Sequence, residues 1–161
     1  MPLLTLDQAR DQCRVDGTQD DVALAQYSAA AEAAAVAYLN RAVFVDQGTL
    51  DAAQDAVPGA LAAAGQAFDT AMTAADDMTD TYQQQAARDV AAARFDAAML
   101  AANRTIHGMV VNPAILAAIQ LLLGHLYSNR EDVLTGLRAA AVAVPNGAQD
   151  LMRLYRRTMM P

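Results

Sequence analysis

The sequence is short of the residues that build most enzymatic and metal sites. Its 161 residues include no Trp, two His and a single Cys, Cys13. One cysteine allows neither a disulfide within the chain nor a site made of several thiolates. Glycine-rich phosphate loops and the G-x-S-x-G and H-E-x-x-H patterns are also missing. We therefore expect no enzymatic activity, no cofactor and no bound metal.

Large apolar residues are also scarce. Leu, Ile, Val and Phe number 35 of 161, slightly above the roughly 20% below which chains tend to be disordered. Alanine supplies most of the other apolar content, and it favours helix while burying little area per residue. No extended alternation of β-branched residues is present. The composition predicts an all-α protein, a small helical bundle whose stability is helped by oligomerisation.

The charge is acidic and unevenly distributed. The net charge is -7, and every basic residue is Arg. Residues 1–105 hold six Arg against fifteen acids, whereas residues 106–161 hold five Arg against three. General nucleic-acid binding needs a basic stripe, so we expect none. The N-terminus lacks the basic and apolar segments of a secretory signal, which predicts synthesis in a reducing cytoplasm.

One stretch predicts the central helix. Asn112 can cap a helix, and Pro113 suits the first helical position. Apolar residues then recur at helical spacing: Ile115, Leu116, Ile119, Leu122, Leu123 and Leu126. This run is too short to span a bilayer, which needs about 20 apolar residues. Protein must cover it, either the rest of the chain or neighbouring copies.

Three further helices are predicted in the two ends of the chain. Thr5 and Gln8 form a capping box that opens a helix to about residue 14. A second helix opens at residues 18–21 and reaches residues 40–42. A last helix covers about 147–158, with three arginines near its C-terminal end. The predicted inward residues are Leu6, Ala9 and Cys13; Leu24, Tyr27, Ala31, Ala34 and Tyr38; and Leu151, Leu154 and Tyr155.

The middle of the chain predicts an antiparallel αα-hairpin. A brief helix through Ala56 is followed by Pro58, which restarts the chain. Two helices then cover about 58–78 and 80–104. Their predicted facing stripes are Leu61, Gly65, Phe68, Met72 and Ala75 on the first and Tyr82, Ala86, Val90, Ala93, Ala97 and Leu100 on the second. Nearer the C-terminus, residues 139–144 precede Pro145 and Gly147, which favours a short extended arm before the last helix.

The polar residues that resemble sites have simpler explanations. His125 near the end of an apolar helix is usually a hydrogen-bonded helix-terminus residue. Asp76, Asp77 and Asp80 could bind a hard cation, but Asp is also an ordinary helix-ending and helix-capping residue. Cys13 occupies an apolar position and is expected to be a small hydrophobe.

Both ends of the chain resemble the head-tail connector proteins of tailed bacteriophages, also called adaptor or head-completion proteins. At the N-terminus the resemblance rests on residues 4–17, on Asp20-Asp21 and on Tyr38-Leu-Asn-Arg41. At the C-terminus it rests on Asn112-Pro-Ala-Ile, on residues 121–132, on Val144-Pro-Asn-Gly and on Leu151 with Tyr155-Arg156. Residues 46–105 depart from the pattern and are interpreted as an inserted helical hairpin within one connector domain.

The resemblance implies a structural protein in the neck of the virion. Such proteins form a homo-oligomeric ring, a dodecamer on the family's pattern, beneath the portal. The ring joins the portal protein to stopper or tail-completion components, and DNA passes through its lumen without specific binding. We expect part of the acidic region to face the lumen. We also expect Arg153, Tyr155, Arg156 and Arg157 to form a portal or subunit contact.

Two other hypotheses remain open from the sequence. A small helical protein-binding module, a regulator or chaperone without catalysis, would have the same composition. An enzyme would need a pocket that joins His107 or His125 to the acidic cluster of Asp76, Asp77 and Asp80.

Overall fold

The computed structural model describes residues 2–129 and 146–158. These residues form α1 (Leu6–Cys13), α2 (Asp21–Leu39), β1 (Val43–Phe44), α3 (Gln47–Asp76), α4 (Thr81–Ile106), β2 (Met109–Val110), α5 (Pro113–Ser128) and α6 (Asn146–Arg153). The all-α class is confirmed. The arm predicted at 139–144 lies outside the described residues. The chain divides into a first unit, Met1–Asp46 with Met109–Pro161, and a second unit, Gln47–Gly108.

The core of the first unit is built around α5, as predicted. The Asn112 side chain accepts a hydrogen bond from the Ile115 amide at 2.9 Å, and Pro113 stands in the first turn. Ile115, Ile119 and Leu123 are fully buried, and α1, α2 and α6 pack against α5. The chain itself therefore covers this helix.

The capping box of Thr5 and Gln8 is confirmed, with both reciprocal hydrogen bonds present. The inward faces of α1 and α2 are only partly as predicted. Ala9, Leu24 and Ala31 are fully buried, whereas Ala34 is exposed and Leu6 is 37% exposed. The buried stripe of α2 is Leu24, Ser28, Ala31, Ala35 and Leu39. An alanine-rich helix has weakly contrasting faces, so its rotation is set by Leu24 and Leu39 rather than by its two tyrosines.

By length and composition, one helix among the described residues, α2, is apolar enough to cross a membrane. Core helices share these properties, and α2 packs against α1, α5 and α6. We therefore describe α2 as a core helix of the first unit.

A short parallel sheet was not predicted. Val43 pairs with Met109 and Phe44 with Val110, and the Val111 amide donates to the Phe44 carbonyl at 2.8 Å. Two residues per strand are too few to show a period-2 pattern in sequence. The pairing joins the two chain segments of the first unit.

In the second unit, the predicted restart of the helix at Pro58 is wrong. Residues Gln47–Asp76 form one continuous helix that contains this proline. Proline forfeits one backbone hydrogen bond there, at a cost of about 3 kcal/mol relative to Ala. Leu50 and Val57 lie two turns apart before it and are buried, so packing on α4 holds this turn in the helix.

Contacts between α3 and α4 run outward from the turn that joins them. Arg88 pairs with Asp76 at 2.6 Å, and the Phe68 and Phe95 ring centroids are 5.3 Å apart. Far from the turn, the Gln54 side chain donates to the Ile106 carbonyl at 3.0 Å. This order of contacts is the one expected of an antiparallel pair.

The predicted face of α3 is confirmed, and that of α4 is wrong. Each of the five residues predicted on α3 is buried or half-buried. On α4, Tyr82, Val90 and Leu100 are exposed, while Ala91 and Ala102 are buried. Alanines occur on every side of α4, so the packing of Phe95 on Phe68 fixes the inward face instead. The inward residues of α4 are Gln84, Arg88, Ala91, Phe95, Ala98, Ala102 and Thr105, alternately three and four residues apart, as in coiled coils.

Candidate subunit-contact surfaces

The C-terminal helix turns a different face to the core from the one predicted. Ala148 and Met152 are buried, whereas Leu151 is 37% and Leu154 is 85% exposed. The helix also ends at Arg153 rather than near residue 158. Helical spacing therefore does not extend to Leu154, and the small Ala148 lets α6 approach its neighbours closely. The prediction that Leu151 and Leu154 point inward is wrong, whereas Tyr155 is half-buried against the core.

Two of the four predicted contact residues are fastened to the end of α2. The Arg156 guanidinium lies 5.0 Å from the centroid of the Tyr38 ring. The Arg157 amide donates to the Leu39 carbonyl at 2.9 Å, and the Asn40 side chain donates to the Arg157 carbonyl at 3.4 Å. Arg156 and Arg157 lie beyond the helix rather than in its last turn, so only Arg153 interacts with the dipole of α6 as predicted.

Arg153 and Leu154 are adjacent exposed residues at the end of α6. Among the described residues, the Arg153 side chain has no hydrogen-bond or ion-pair partner, and it is exposed. Leu154 beside it is 85% exposed. A cation next to an uncovered leucine is a combination that protein interfaces bury, with Arg enriched at their centres. We call this pair the C-terminal knob.

A groove between the N-terminal residues and α2 was missed from the sequence. It has a volume of about 190 Å³ and is lined by Leu4, Leu6, Ala25, Ser28, Ala29 and Glu32. Glu32 Oε1 accepts hydrogen bonds from the Leu3 and Leu4 amides at 2.9 and 2.8 Å. These bonds hold the N-terminal residues alongside α2 and close one wall. We call this feature the Ser28 groove.

Ser28 is the unusual residue of the groove. It is 8% exposed, and its hydroxyl has no hydrogen-bond partner among the described residues. A buried hydroxyl left in this state costs roughly 1–3 kcal/mol. The signal in the sequence was its spacing: Ser28 and Glu32 lie four residues apart on one face of an alanine helix.

The groove opens onto an apolar face of α2. The exposed residues of this helix are mostly small and apolar: Val22, Ala25, Gln26, Ala29, Ala30, Ala33, Ala34 and Ala37. Val22 is 72% exposed. An uncovered apolar face of the first unit thus lies on α2, whereas the sequence had pointed to α5 as the helix that needs cover.

An ion-pair cluster holds α1 to the start of α2. Arg10 donates to both carboxylate oxygens of Asp21, at 2.9 and 2.6 Å, and to Asp7 at 2.8 Å. These charge-assisted hydrogen bonds lower the pKa of Asp21 below its ordinary value and raise the pKa of Arg10. Next to it, the Tyr127 hydroxyl donates to Asp20 at 2.6 Å, which ties α5 to the same end of α2.

The residues considered for metal or enzyme chemistry have structural roles. Asp76 pairs with Arg88, and Asp80 accepts the Tyr82 and Gln83 amides as the N-cap of α4. His107 follows the last residue of α4, roughly 40 Å from Asp80 at 1.5 Å per residue. His125 accepts a hydrogen bond at its carbonyl from the Asn129 side chain. Within residues 2–129 and 146–158, no three His, Cys, Asp or Glu side chains converge as metal ligands.

Fold and surfaces together define a small all-helical protein with exposed apolar and charged segments suited to contact other subunits. The chain matches the family model of the phage gp6-like head-tail connector protein over residues 3–156. It belongs to that family, which confirms the resemblance seen in its two ends. It is therefore a structural component of the phage virion at the head–tail junction. No curated protein and no solved structure matches it.

Proposed function

We propose that the protein forms a closed homo-oligomeric ring, a dodecamer, that joins the portal protein to the stopper or tail-completion protein. The family match over residues 3–156 is the observation that supports this most directly. The uncovered apolar face of α2 adds support, because monomeric proteins rarely leave large contiguous apolar areas in water. Repetition of one heterologous contact closes into such a ring when the rotation per subunit fits.

DNA would pass through the lumen of this ring without being bound. Acidic side chains of the second unit would line the lumen, since residues 47–108 contain eight Asp against three Arg. A wall of this sign offers phosphates few cations to hold them, so DNA slides. We further propose that residues 46–105 are a helical hairpin inserted in the connector domain and that the protein has no catalytic role.

Native mass across a concentration series, with electron micrographs of the same samples, tests the ring. Rings of one size, alone or on addition of the cognate portal protein, are the expected result. A monomer at every concentration that also fails to bind the portal would refute the proposal. That outcome would favour the small protein-binding module, a regulator or chaperone.

The four predicted contact residues need separate tests because they differ in surroundings. Reversing Arg153, Arg156 and Arg157 together is expected to abolish contact with the portal or with a neighbouring copy. The Arg156 side chain also packs on Tyr38 at the end of α2, so Arg153→Glu alone is the cleaner change. Tyr155→Phe keeps the aromatic side chain against the core and removes only the hydroxyl, so it tests whether that hydroxyl takes part in the contact.

A further inference from the structure

Two features of the first unit lack partners and complement each other. The C-terminal knob offers an apolar side chain, Leu154, beside a cation, Arg153. The Ser28 groove offers an apolar cleft with a carboxylate, Glu32, and a buried hydroxyl that has no partner among the described residues. Because Leu154 is 85% exposed, the knob does not occupy the groove of its own chain.

We propose that the C-terminal knob of one copy docks in the Ser28 groove of the next copy. This rests on the proposed ring and names the contact that builds it. Leu154 fills the cleft between Leu4, Leu6 and Ala25. Arg153 pairs with Glu32 through the carboxylate oxygen that does not hold the Leu3 and Leu4 amides, and the Ser28 hydroxyl donates to a main-chain carbonyl beside Leu154.

The size of the groove favours a side chain over a small molecule. Its volume of about 190 Å³ lies below the roughly 300–1,000 Å³ of small-molecule pockets. The groove suits an apolar side chain next to a cation, because its lining among the described residues is mostly apolar and its one charged group is the Glu32 carboxylate. The knob of a second copy meets these requirements and is present wherever the protein is.

In the proposed ring the contact is heterologous, because the knob of each copy enters the groove of the next copy. Each copy then presents one free knob and one free groove, and addition of copies continues until the ring closes. The apolar face of α2 adjoins the groove and is covered in the same step. A reciprocal two-fold dimer would also fill both patches, but its disulfide-linked products would end at the dimer, which distinguishes it from a ring.

Disulfide trapping tests this contact directly. In a Cys13→Ala background, Ala25→Cys and Leu154→Cys are combined in one chain and the protein is oxidised. A head-to-tail contact links copy to copy, so non-reducing gels are expected to show a ladder of multimers up to the closed ring. Each single-cysteine variant can reach only a dimer and serves as the control. A bond within one chain would keep the mass of one subunit.

Point variants measure the strength of the same contact. Leu154→Asp is expected to raise the concentration for half-assembly at least about tenfold, the scale of losing one interface anchor. Leu100→Asp, the same change on an exposed leucine of the second unit, should leave it within about twofold. Glu32→Gln keeps an oxygen for the Leu3 and Leu4 amides but removes the charge, so assembly should weaken and become less sensitive to salt.

The outcomes separate this contact from the ring itself. Rings that form without a ladder, or that Leu154→Asp leaves unaffected, would overturn the proposed contact while the ring stands. A protein that never self-associates would also overturn it, even if it binds the portal. Loss of portal binding but not of ring assembly in Leu154→Asp would assign the knob to the portal instead.

Discussion

The docking of α6 by Met152 rather than by its leucines leads to a sharp prediction. Met152 is 1% exposed and Leu154 is 85% exposed, although both are large apolar residues two positions apart. Met152→Ala is therefore expected to destabilise the first unit strongly, whereas Leu154→Ala in the monomer should change its free energy of unfolding very little.

The magnitude follows from the burial of Met152. Truncating a buried Met to Ala costs about 2–5 kcal/mol through lost transfer free energy and the cavity left behind. Because α6 has only eight residues, its end can settle partly into the gap, so we expect about 2–3 kcal/mol. Surface changes such as Leu154→Ala usually stay within about 0.5 kcal/mol. Domains are stable by about 5–15 kcal/mol in total.

Tyrosine fluorescence during urea unfolding isolates the first unit. Tyr27, Tyr38, Tyr127 and Tyr155 lie in that unit, and the fifth tyrosine, Tyr82, is 89% exposed on α4. With a slope of about 1.5 kcal/mol per molar urea, the Met152→Ala midpoint should fall by roughly 1.3–2 M. The measurements should be made at protein concentrations too low for oligomers to form, since oligomerisation stabilises the native state by mass action.

Two results would refute the reasoning. Equal losses for Met152→Ala and Leu154→Ala would mean that Leu154 is also buried in the monomer, as the sequence pattern predicted. A loss below about 0.5 kcal/mol for Met152→Ala would mean that α6 does not pack through this residue.

Three further predictions concern helix ends and charges. Pro58→Ala should stabilise the second unit by up to about 3 kcal/mol, because it restores a backbone donor inside α3. Pro113→Ala at the start of α5 is the control and should be nearly neutral. Thermal melts followed by circular dichroism compare the two variants, and equal effects would contradict a continuous α3. Asp80→Ala should lower the stability of α4 by about 1 kcal/mol through loss of its cap, and unchanged hydrogen exchange at the first turn of α4 would count against this. Arg10 lowers the pKa of Asp21 in the folded state, so the ion pair stabilises the protein at pH values above the ordinary Asp pKa, and this stabilisation is lost as the pH falls through the lowered pKa. The Asp21→Asn variant should therefore lose less stability than the unchanged protein between about pH 6 and pH 3. Parallel losses in the two proteins would refute this assignment.

Local chemistry made the helix ends predictable. Asn112 and Pro113 set the start of α5, and the box of Thr5 and Gln8 sets the start of α1, through contacts spanning three residues. Such signals need no knowledge of what lies across the core. The all-α class and the start of α5 were accordingly confirmed.

The inward faces of the alanine-rich helices could not be predicted as well. On α4, alanine offers similar stripes on several sides, and the pairing of Phe95 with Phe68 decides between them. Pro58 shows the same limit, because a proline that ends an isolated helix can be held inside one by packing on a neighbour.

The sequence identified one part of the candidate contact surfaces and missed another. Arg153 was found by its charge and its position in the chain, and it is exposed. Ser28 and Glu32 were not found, because the groove exists only once residues 2–4 fold back along α2. The hydrogen bond between the Leu3 amide and Glu32 joins residues 29 positions apart, and a pattern of neighbouring residues does not reveal a contact over that distance.

The two-residue pairing of β1 with β2 has a consequence for how this chain can change in length. Adjacent strands lie about 4.8 Å apart, so the segment 47–108 leaves and rejoins the first unit at neighbouring points. Loop-closure entropy changes by only about 0.6 kcal/mol for each doubling of length. The stability of the first unit therefore depends only weakly on the length of the segment between β1 and β2. Both helices can therefore be lengthened or shortened together by whole heptads at little cost to the first unit.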